Sequence, residues 1–186
     1  MALVNAAPQQ ATYSDLVSWP DDGRRYELYD GEVYVAPAPM PRHQVALAEL
    51  FGRLWQFAEG SGGLVLTAPI DIVFDELNVL QPDIAYFSLS RRHHLRPDAV
   101  TRVPPDLVVE VVSPSTVRND LGRKKATFAR FGVPEYWIVD PQIARVERYD
   151  LVDRRYVLTL AAGPRESFES TSLAGFRCDV DSLFPW

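Results

Sequence analysis

Residues 107–112 read Leu-Val-Val-Glu-Val-Val, an apolar run typical of a strand that is covered on both faces. Glu110 interrupts this run, and side-chain alternation places it on the same face as Asp106, Val108 and Val112. An ionised carboxylate in such a place is costly unless an opposite charge joins it. The stretch therefore predicts a central buried strand with an acid that either serves a function or is neutral or paired for structural reasons.

A lysine on the segment that follows is the natural partner for this acid. The spacing predicts a helix over Val117–Phe131, which ends at Gly132-Val133-Pro134. The apolar stripe of this helix comprises Val117, Leu121, Phe128 and Phe131. At 100° per residue, Lys124 lies roughly 25° from the centre of the stripe, so it is expected to point toward the sheet. The alternative is a lysine that extends along the edge of the core to water.

Two further acids lie in predicted strands. Asp83 stands at the head of Pro82–Phe87, and Glu27 lies in a hairpin that turns at Asp30-Gly31, where it faces Tyr34. Each alone has a structural explanation, as a turn residue or as an exposed hairpin residue. As a set, carboxylates beside a lysine predict a site for a hard cation, Mg²⁺ or Mn²⁺, and cleavage of a phosphodiester.

The remaining elements indicate a mixed α/β sheet flanked by helices, with an added β-hairpin or meander toward the C-terminus. We expect a flexible tail at 1–11 and one domain over 12–186. The other predicted helices are Tyr13–Trp19 and His43–Ala58, and the other predicted strands are Leu64–Phe74, Val79–Phe87, Tyr136–Val139, Arg145–Tyr149 and Tyr156–Leu160. The last two would leave an open sheet edge, which favours a homodimer.

Composition limits the class of protein. The 186 residues are 47% hydrophobic, which suits a single domain. The net charge of −6 argues against a broadly basic surface that coats nucleic acid. The single cysteine, Cys178, excludes an internal disulfide and a cysteine-rich zinc site. No apolar run approaches the ~20 residues of a membrane helix, and the first dozen residues do not resemble an export signal. These features predict a cytoplasmic protein without a membrane segment.

Several motifs together resemble a known family. They are Tyr26–Glu32, Pro41–Gln44, Gln81-Pro82-Asp83, Val109–Ser115, Asp120 with Lys124, and the block Gly132–Pro141. In these motifs the chain resembles the Uma-type restriction endonucleases of the PD-(D/E)XK nuclease superfamily, from about residue 12 to 150. The resemblance implies the restriction-endonuclease-like fold and a hydrolase that cuts DNA to leave 5′-phosphate and 3′-hydroxyl ends.

The resemblance also implies roles for individual residues. Asp83 and Glu110 would hold Mg²⁺ or Mn²⁺ with the carbonyl of Val111, and Glu27 would be an outer acid. The lysine of the superfamily pattern, two residues after the glutamate, is Val112 here, and Lys124 would supply that charge instead. The supporting residues would be His43, Gln81, Ser113 and Asp120. Of these, Asp120 would orient Lys124 from one helical turn away, and His43 would contact a phosphate or a metal-bound water, or simply cap its helix.

Three hypotheses follow for the function. The first is a metal-dependent endonuclease acting on DNA. The second is a catalytically inactive nuclease-like scaffold that binds nucleic acid or a protein partner, which the acidic charge and Val112 motivate. The third is a small metal-dependent hydrolase acting on a nucleotide.

Overall fold

The computed structural model describes residues 10–185 of the chain. Its strands are β1 (Arg25–Tyr29), β2 (Glu32–Ala36), β3 (Leu64–Thr67), β4 (Ile72–Asp75), β5 (Asn78–Leu80), β6 (Ile84–Phe87), β7 (Leu107–Val111), β8 (Glu135–Asp140), β9 (Arg145–Val152), β10 (Arg155–Ala162), β11 (Ser167–Glu169) and β12 (Arg177–Asp179). Its helices are α1 (Tyr13–Ser18), α2 (Pro41–Ser61), α3 (Leu89–Arg92), α4 (Val117–Asn119) and α5 (Lys125–Arg130). A π-helical segment, Asp120–Lys124, joins α4 to α5, and a 3₁₀ turn covers Val180–Leu183.

The strands form two main sheets. The larger is six-stranded with the order β10-β9-β8-β7-β6-β3, in which β7 and β8 are parallel and the other neighbours are antiparallel. The smaller is antiparallel with the order β2-β1-β5-β4, and β11 pairs with β12. The predicted mixed α/β sheet with added C-terminal antiparallel strands is confirmed.

The strand β7 lies inside the larger sheet and is buried along its whole length. Val109 and Val111 pack on the core that α2 covers, whereas Val108 and Val112 pack with Phe128 of α5 on the other face. Glu110 alternates with Val109 and Val111, so it faces the α5 side. Side-chain alternation therefore aims the one acid of the strand at the helical segment that carries Lys124.

The helix α2 is longer than the prediction of His43–Ala58. It starts at Pro41, a residue that fits the first position of a helix because its missing N–H would have no helical partner there. It ends at Ser61, and the following Gly62 has the left-handed φ of +74°. His43 thus lies in the first turn, and its side chain is buried.

The predictions of single strands over Leu64–Phe74 and Val79–Phe87 are wrong, because each stretch forms two strands in different sheets. Strands β3 and β6 pair in the larger sheet, and β4 and β5 pair in the smaller one. Pro69 and Pro82 lie at the two interruptions, where a proline has no N–H to donate to a ladder. The second interruption leaves Gln81–Asp83 in the passage between the two sheets.

The prediction of a regular helix over Val117–Phe131 is also wrong. Gly122 has φ −100° and ψ −110°, so the chain kinks between α4 and α5. Glycine permits this backbone because it has no Cβ. As a result Leu121, assigned to the buried stripe, is 44% exposed, whereas Lys124 is only 5% exposed. The predicted end of the segment is confirmed, because Gly132 adopts φ +75°.

The other short elements agree with the sequence pattern. The capping box of Thr12 and Asp15 starts α1, and Asp30 and Gly31 take the positive φ of the predicted hairpin turn. Of the predicted tail, residues 1–9 lie outside the described residues, as does Trp186, whereas Ala11 donates a hydrogen bond to the Gly31 carbonyl. Within residues 10–185, no helix has the length and apolar character needed to cross a bilayer.

Candidate active site

The predicted site residues come together in one narrow cleft between the two sheets, with a cavity volume of about 30 Å³. Glu27 comes from β1, Asp83 from the segment before β6, and Glu110 from β7. Lys124 is the last residue of the π-helical segment. The same cleft is also lined by Val111, whose carbonyl was the third predicted ligand, and by the predicted supporting residues, which are His43, Gln81, Ser113 and Asp120.

Lys124 lies at the centre of the cluster. Its Nζ is 2.9 Å from Glu27 Oε1 and 2.9 Å from Glu110 Oε1. It donates hydrogen bonds to Glu110 Oε2 at 3.0 Å and to the backbone carbonyl of Gln81 at 2.9 Å. The position predicted from the helical pattern is therefore the one that meets Glu110, although the helix itself is not regular.

Glu27 is held by neutral donors as well as by this ammonium. The Tyr29 hydroxyl donates to its Oε2 at 2.7 Å, and the Gln81 backbone N–H donates to its Oε1 at 2.9 Å. The Tyr29 hydroxyl in turn accepts a hydrogen bond from Asn119 Nδ2 at 3.0 Å. The outer acid is thus fixed by Tyr29 of β1, by the backbone of Gln81 and, through Tyr29, by Asn119 of α4.

Asp83 has a different set of partners. Its Oδ2 accepts from the Val111 backbone N–H at 2.9 Å and lies 3.0 Å from His43 Nε2. Its Oδ1 lies 3.9 Å from Arg25 Nη1. Burial raises the pKa of Asp83, but the hydrogen bond from His43 and the charge of Lys124 outweigh burial, and the pKa is lowered overall. Asp83 is therefore an ionised carboxylate with one oxygen fully engaged and the other almost free.

Burial acts in opposite directions on the central pair. It raises the pKa of Glu110 well above its usual value, against the attraction of Lys124. In Lys124, burial lowers the pKa, but Glu110 and Glu27 outweigh it and raise the pKa well above its usual value. The ammonium is charged, and its contact with both Glu110 oxygens favours the carboxylate form of Glu110.

Three buried polar atoms of the cleft have no hydrogen-bond partner among the described residues, namely Glu110 Oε1, Gln81 Oε1 and His43 Nδ1. Glu110 Oε1 is close to Nζ, but the angle does not suit a hydrogen bond. Within residues 10–185, no group of three or more His, Cys, Asp or Glu side chains has the arrangement of a metal site. A hard cation that keeps several waters needs only one or two carboxylates. Asp83 and Glu110 each have one oxygen that accepts no hydrogen bond, so these two acids fit Mg²⁺ or Mn²⁺.

The main chain of Val111 faces this pair of acids. Its N–H donates to Asp83, and in an extended strand the N–H and C=O of one residue point to the same side. Val112 lies in the apolar cluster with Val108 and Phe128, on the same face as Glu110. The side chain at 112 thus contributes packing, and the only ammonium that reaches Glu110 in the described structure comes from Lys124.

Two supporting residues are placed less directly. Asp120 is not among the hydrogen-bond partners of Lys124 in the described part of the chain, and its backbone carbonyl accepts from Tyr136 at 2.9 Å. Burial raises the pKa of its side chain to about 6. The Ser113 hydroxyl pairs with those of Ser115 and Thr116 at the rim of the cleft.

The structure adds Arg25, Tyr29 and Asn119 to the candidate site. A signal for the first two was present in the sequence, because Arg25 and Tyr29 alternate with Glu27 on one face of β1. No such signal exists for Asn119, because its approach to Tyr29 depends on the kinked helical segment.

Comparisons with known proteins bear on the family and the fold. The family model described as "Uma2: Putative restriction endonuclease" matches residues 13–181. The fold is similar to the crystal structure of "a putative nuclease belonging to DUF820" from Anabaena variabilis, with a TM-score of 0.78 and 17% sequence identity over 94% of this chain and 98% of that one. No curated protein sequence matches the chain.

Proposed function

Because the chain belongs to the Uma2 family, we propose that it is an endonuclease that hydrolyses phosphodiester bonds of DNA with Mg²⁺ or Mn²⁺. Family and fold support a nuclease-like protein, and the proposal adds the metal and the substrate. The observation that carries it is the convergence of Asp83, Glu110 and Lys124 in one cleft, with an oxygen atom on each acid that accepts no hydrogen bond.

Asp83 and Glu110 are the side chains proposed to hold the ion, with the carbonyl of Val111 as a third oxygen. A bound dication would lower the pKa of a coordinated water and stabilise the charge on the leaving oxygen. The proposal gives Glu27 the role of an outer acid, which holds the ammonium of Lys124 from the opposite side.

The other residues act by position. His43 and the Val111 N–H fix one oxygen of Asp83, so the second oxygen is directed to the cleft. Gln81 contacts both Glu27 and Lys124 through its backbone, and its side chain donates to Asp71 at 2.8 Å. Lys124 is proposed to offer its charge to the scissile phosphate. By family resemblance, the products would carry 5′-phosphate and 3′-hydroxyl ends.

The direct test is cleavage of supercoiled plasmid by the Glu110→Gln variant in the presence of Mn²⁺. We expect the rate to fall by ~100-fold or more, because one proposed metal ligand is lost. The matched control is Glu169→Gln, which removes the charge of an exposed glutamate outside the cleft. If Glu110→Gln nicks plasmid as fast as the parent, the proposed site is not the catalytic one.

A second candidate is a nuclease-like scaffold that binds nucleic acid or a protein partner without cutting. Val112 and the close engagement of Lys124 by protein oxygens favour it. Calorimetric titration with Mn²⁺ separates the two, since such a scaffold would take up no ion. A hydrolase of small nucleotides would bind the ion but cleave a nucleotide diester in preference to plasmid.

The edge of the larger sheet bears on the expected homodimer. Strand β10 pairs with β9 on one side and is the last strand of the larger sheet. Val157 and Leu158 on it are each nearly half exposed. A self-complementary pairing of this edge with that of a second copy is the geometry that we propose for a dimer.

A further inference from the structure

The ammonium of Lys124 is almost completely surrounded by protein oxygen atoms. Four oxygens of Glu27, Glu110 and Gln81 lie within 3.0 Å of Nζ. Two of its three N–H groups donate to the Gln81 carbonyl and to Glu110 Oε2, and Glu27 Oε1 and Glu110 Oε1 lie 2.9 Å from Nζ, so a phosphate would have to displace a protein oxygen. Lys124 can therefore contact a substrate phosphate only after one of its protein contacts has broken.

Glu110 is the partner that has another use. Glu27 also accepts from Tyr29 and Gln81, and the Gln81 carbonyl belongs to the main chain. Glu110, in contrast, has Lys124 as its hydrogen-bond donor within the described residues, and its Oε1 accepts no hydrogen bond. Of the three partners, Glu110 is therefore the one that a second cation can take over.

Charge leads to the same conclusion. A dication on Asp83 and Glu110 would lie next to the ammonium, and like charges so close in a buried site repel each other strongly. The ion and Lys124 therefore compete for Glu110.

We propose that Lys124 substitutes for the metal ion in the resting site, and that Glu110 exchanges its contact with Lys124 for a contact with the ion. The exchange releases an N–H of Lys124 for the scissile phosphate while Glu27 keeps hold of the ammonium. This inference rests on the proposed function. It means that metal binding makes Lys124 available to the scissile phosphate.

The test is the sign of a change in metal affinity. Titration calorimetry with MnCl₂ on the full chain should give a dissociation constant at least ~10-fold tighter for Lys124→Met than for the parent, because the competing cation is gone. The matched control, Lys125→Met, removes the same charge one residue away, where Nζ lies over the Tyr149 ring outside the cleft. Its affinity should equal that of the parent.

A second variant keeps the test possible if Lys124→Met does not fold. Lys124→Met leaves two buried carboxylates without their cation, so circular dichroism should accompany each titration. If the single variant does not fold, Lys124→Met/Glu27→Gln restores the charge balance and keeps Asp83 and Glu110. This double variant should also bind Mn²⁺ more tightly than the parent.

Three results would overturn the exchange: equal affinity in parent and folded variant, weaker affinity in the variant, or no uptake by either protein. Failure of the proposed function gives a different pattern. A parent that binds Mn²⁺ but cuts no nucleic acid contradicts the nuclease assignment, whereas tighter binding by Lys124→Met would still support the exchange.

Discussion

Two buried glutamates lie on neighbouring parallel strands of the larger sheet and have very different surroundings. Glu135, at the start of β8, is fully buried, and both of its oxygens accept hydrogen bonds from neutral donors. These donors are Trp137 Nε1 at 2.6 Å, Ser170 Oγ at 2.8 Å, Thr171 Oγ1 at 3.1 Å and the Ser172 N–H at 2.6 Å. Glu110, toward the end of β7, has one ammonium and an oxygen without a hydrogen bond.

The difference separates an acid that stabilises the fold from one that is available for chemistry. Glu135 ties the loop at 170–172 to the sheet and has no capacity for a further ligand. Glu110 is held in place by a lysine side chain, and its Oε1 accepts no hydrogen bond. Burial alone does not distinguish the two, but the kind of donor and the count of free lone pairs do.

The largest expected effect on stability in this comparison follows from removal of the cation. Without metal, Lys124→Met leaves Glu27 and Glu110 buried together, and we expect it to lower the free energy of unfolding by ~3–5 kcal/mol. Urea denaturation in EDTA measures this. The double variant Lys124→Met/Glu110→Gln should recover much of the loss, because one of the two carboxylates is gone.

The control for this experiment is Lys125→Met, with an expected change below ~1 kcal/mol because its side chain is only partly buried. A Lys124→Met protein as stable as the parent in EDTA would mean that Glu110 is not a charged partner of the lysine. The contrast with the neutral network of Glu135 would then no longer hold.

The same contrast explains what the sequence could predict. Glu110 stands out in an apolar strand, and its face follows from the local periodicity of two residues. The 3.6-residue pattern places Lys124 on the buried side correctly, but it places Leu121 there wrongly. The turn at Asp30-Gly31 and the stop at Gly132 follow from the backbone freedom of glycine, and they are where the sequence places them.

What could not be predicted depends on contacts that are distant in sequence. Three of the neutral donors to Glu135 come from residues 170–172, more than thirty positions later, and no local sequence pattern predicts this contact. The passage of Gln81–Asp83 between two sheets needs the pairing partners of β5 and β6, and Pro82 alone marks only an interruption. The kink at Gly122 likewise depends on tertiary packing. An isolated glycine is also tolerated within a regular helix, so the sequence alone does not predict the kink.

An isosteric substitution at each glutamate sharpens the comparison. Glu135→Gln should lower the free energy of unfolding by ~2 kcal/mol, because an amide NH₂ must then face the Trp137 or the Ser172 N–H. Glu110→Gln should leave stability within ~1 kcal/mol of the parent or raise it, since one carboxylate charge disappears from the buried site while the amide oxygen can still accept from Lys124 Nζ. Thermal and urea unfolding of both variants measure the difference.

Activity should change in the opposite order. The Glu135→Gln protein is expected to cut plasmid like the parent at a temperature where it is folded, whereas Glu110→Gln is not. Equal destabilisation by the two substitutions would show that Glu110 is as fully satisfied as Glu135, and it would remove the reason to assign it a ligand.

The smallest effect concerns the hydroxyl that orients Glu27. Tyr29→Phe removes a hydrogen bond of 2.7 Å to Glu27 Oε2 and leaves Asn119 Nδ2 without its acceptor. We expect a loss of ~1 kcal/mol in stability and a fall of ~10-fold in kcat with little change in KM, because Glu27 touches the lysine rather than the substrate.

The chain offers a matched control in Tyr149→Phe, which removes a hydroxyl that donates to Glu147 two residues away on β9 at 2.6 Å. That variant should lose similar stability and keep full kcat. If both variants keep full kcat, Glu27 needs no fixed orientation, and its place in the cluster is structural like that of Glu135.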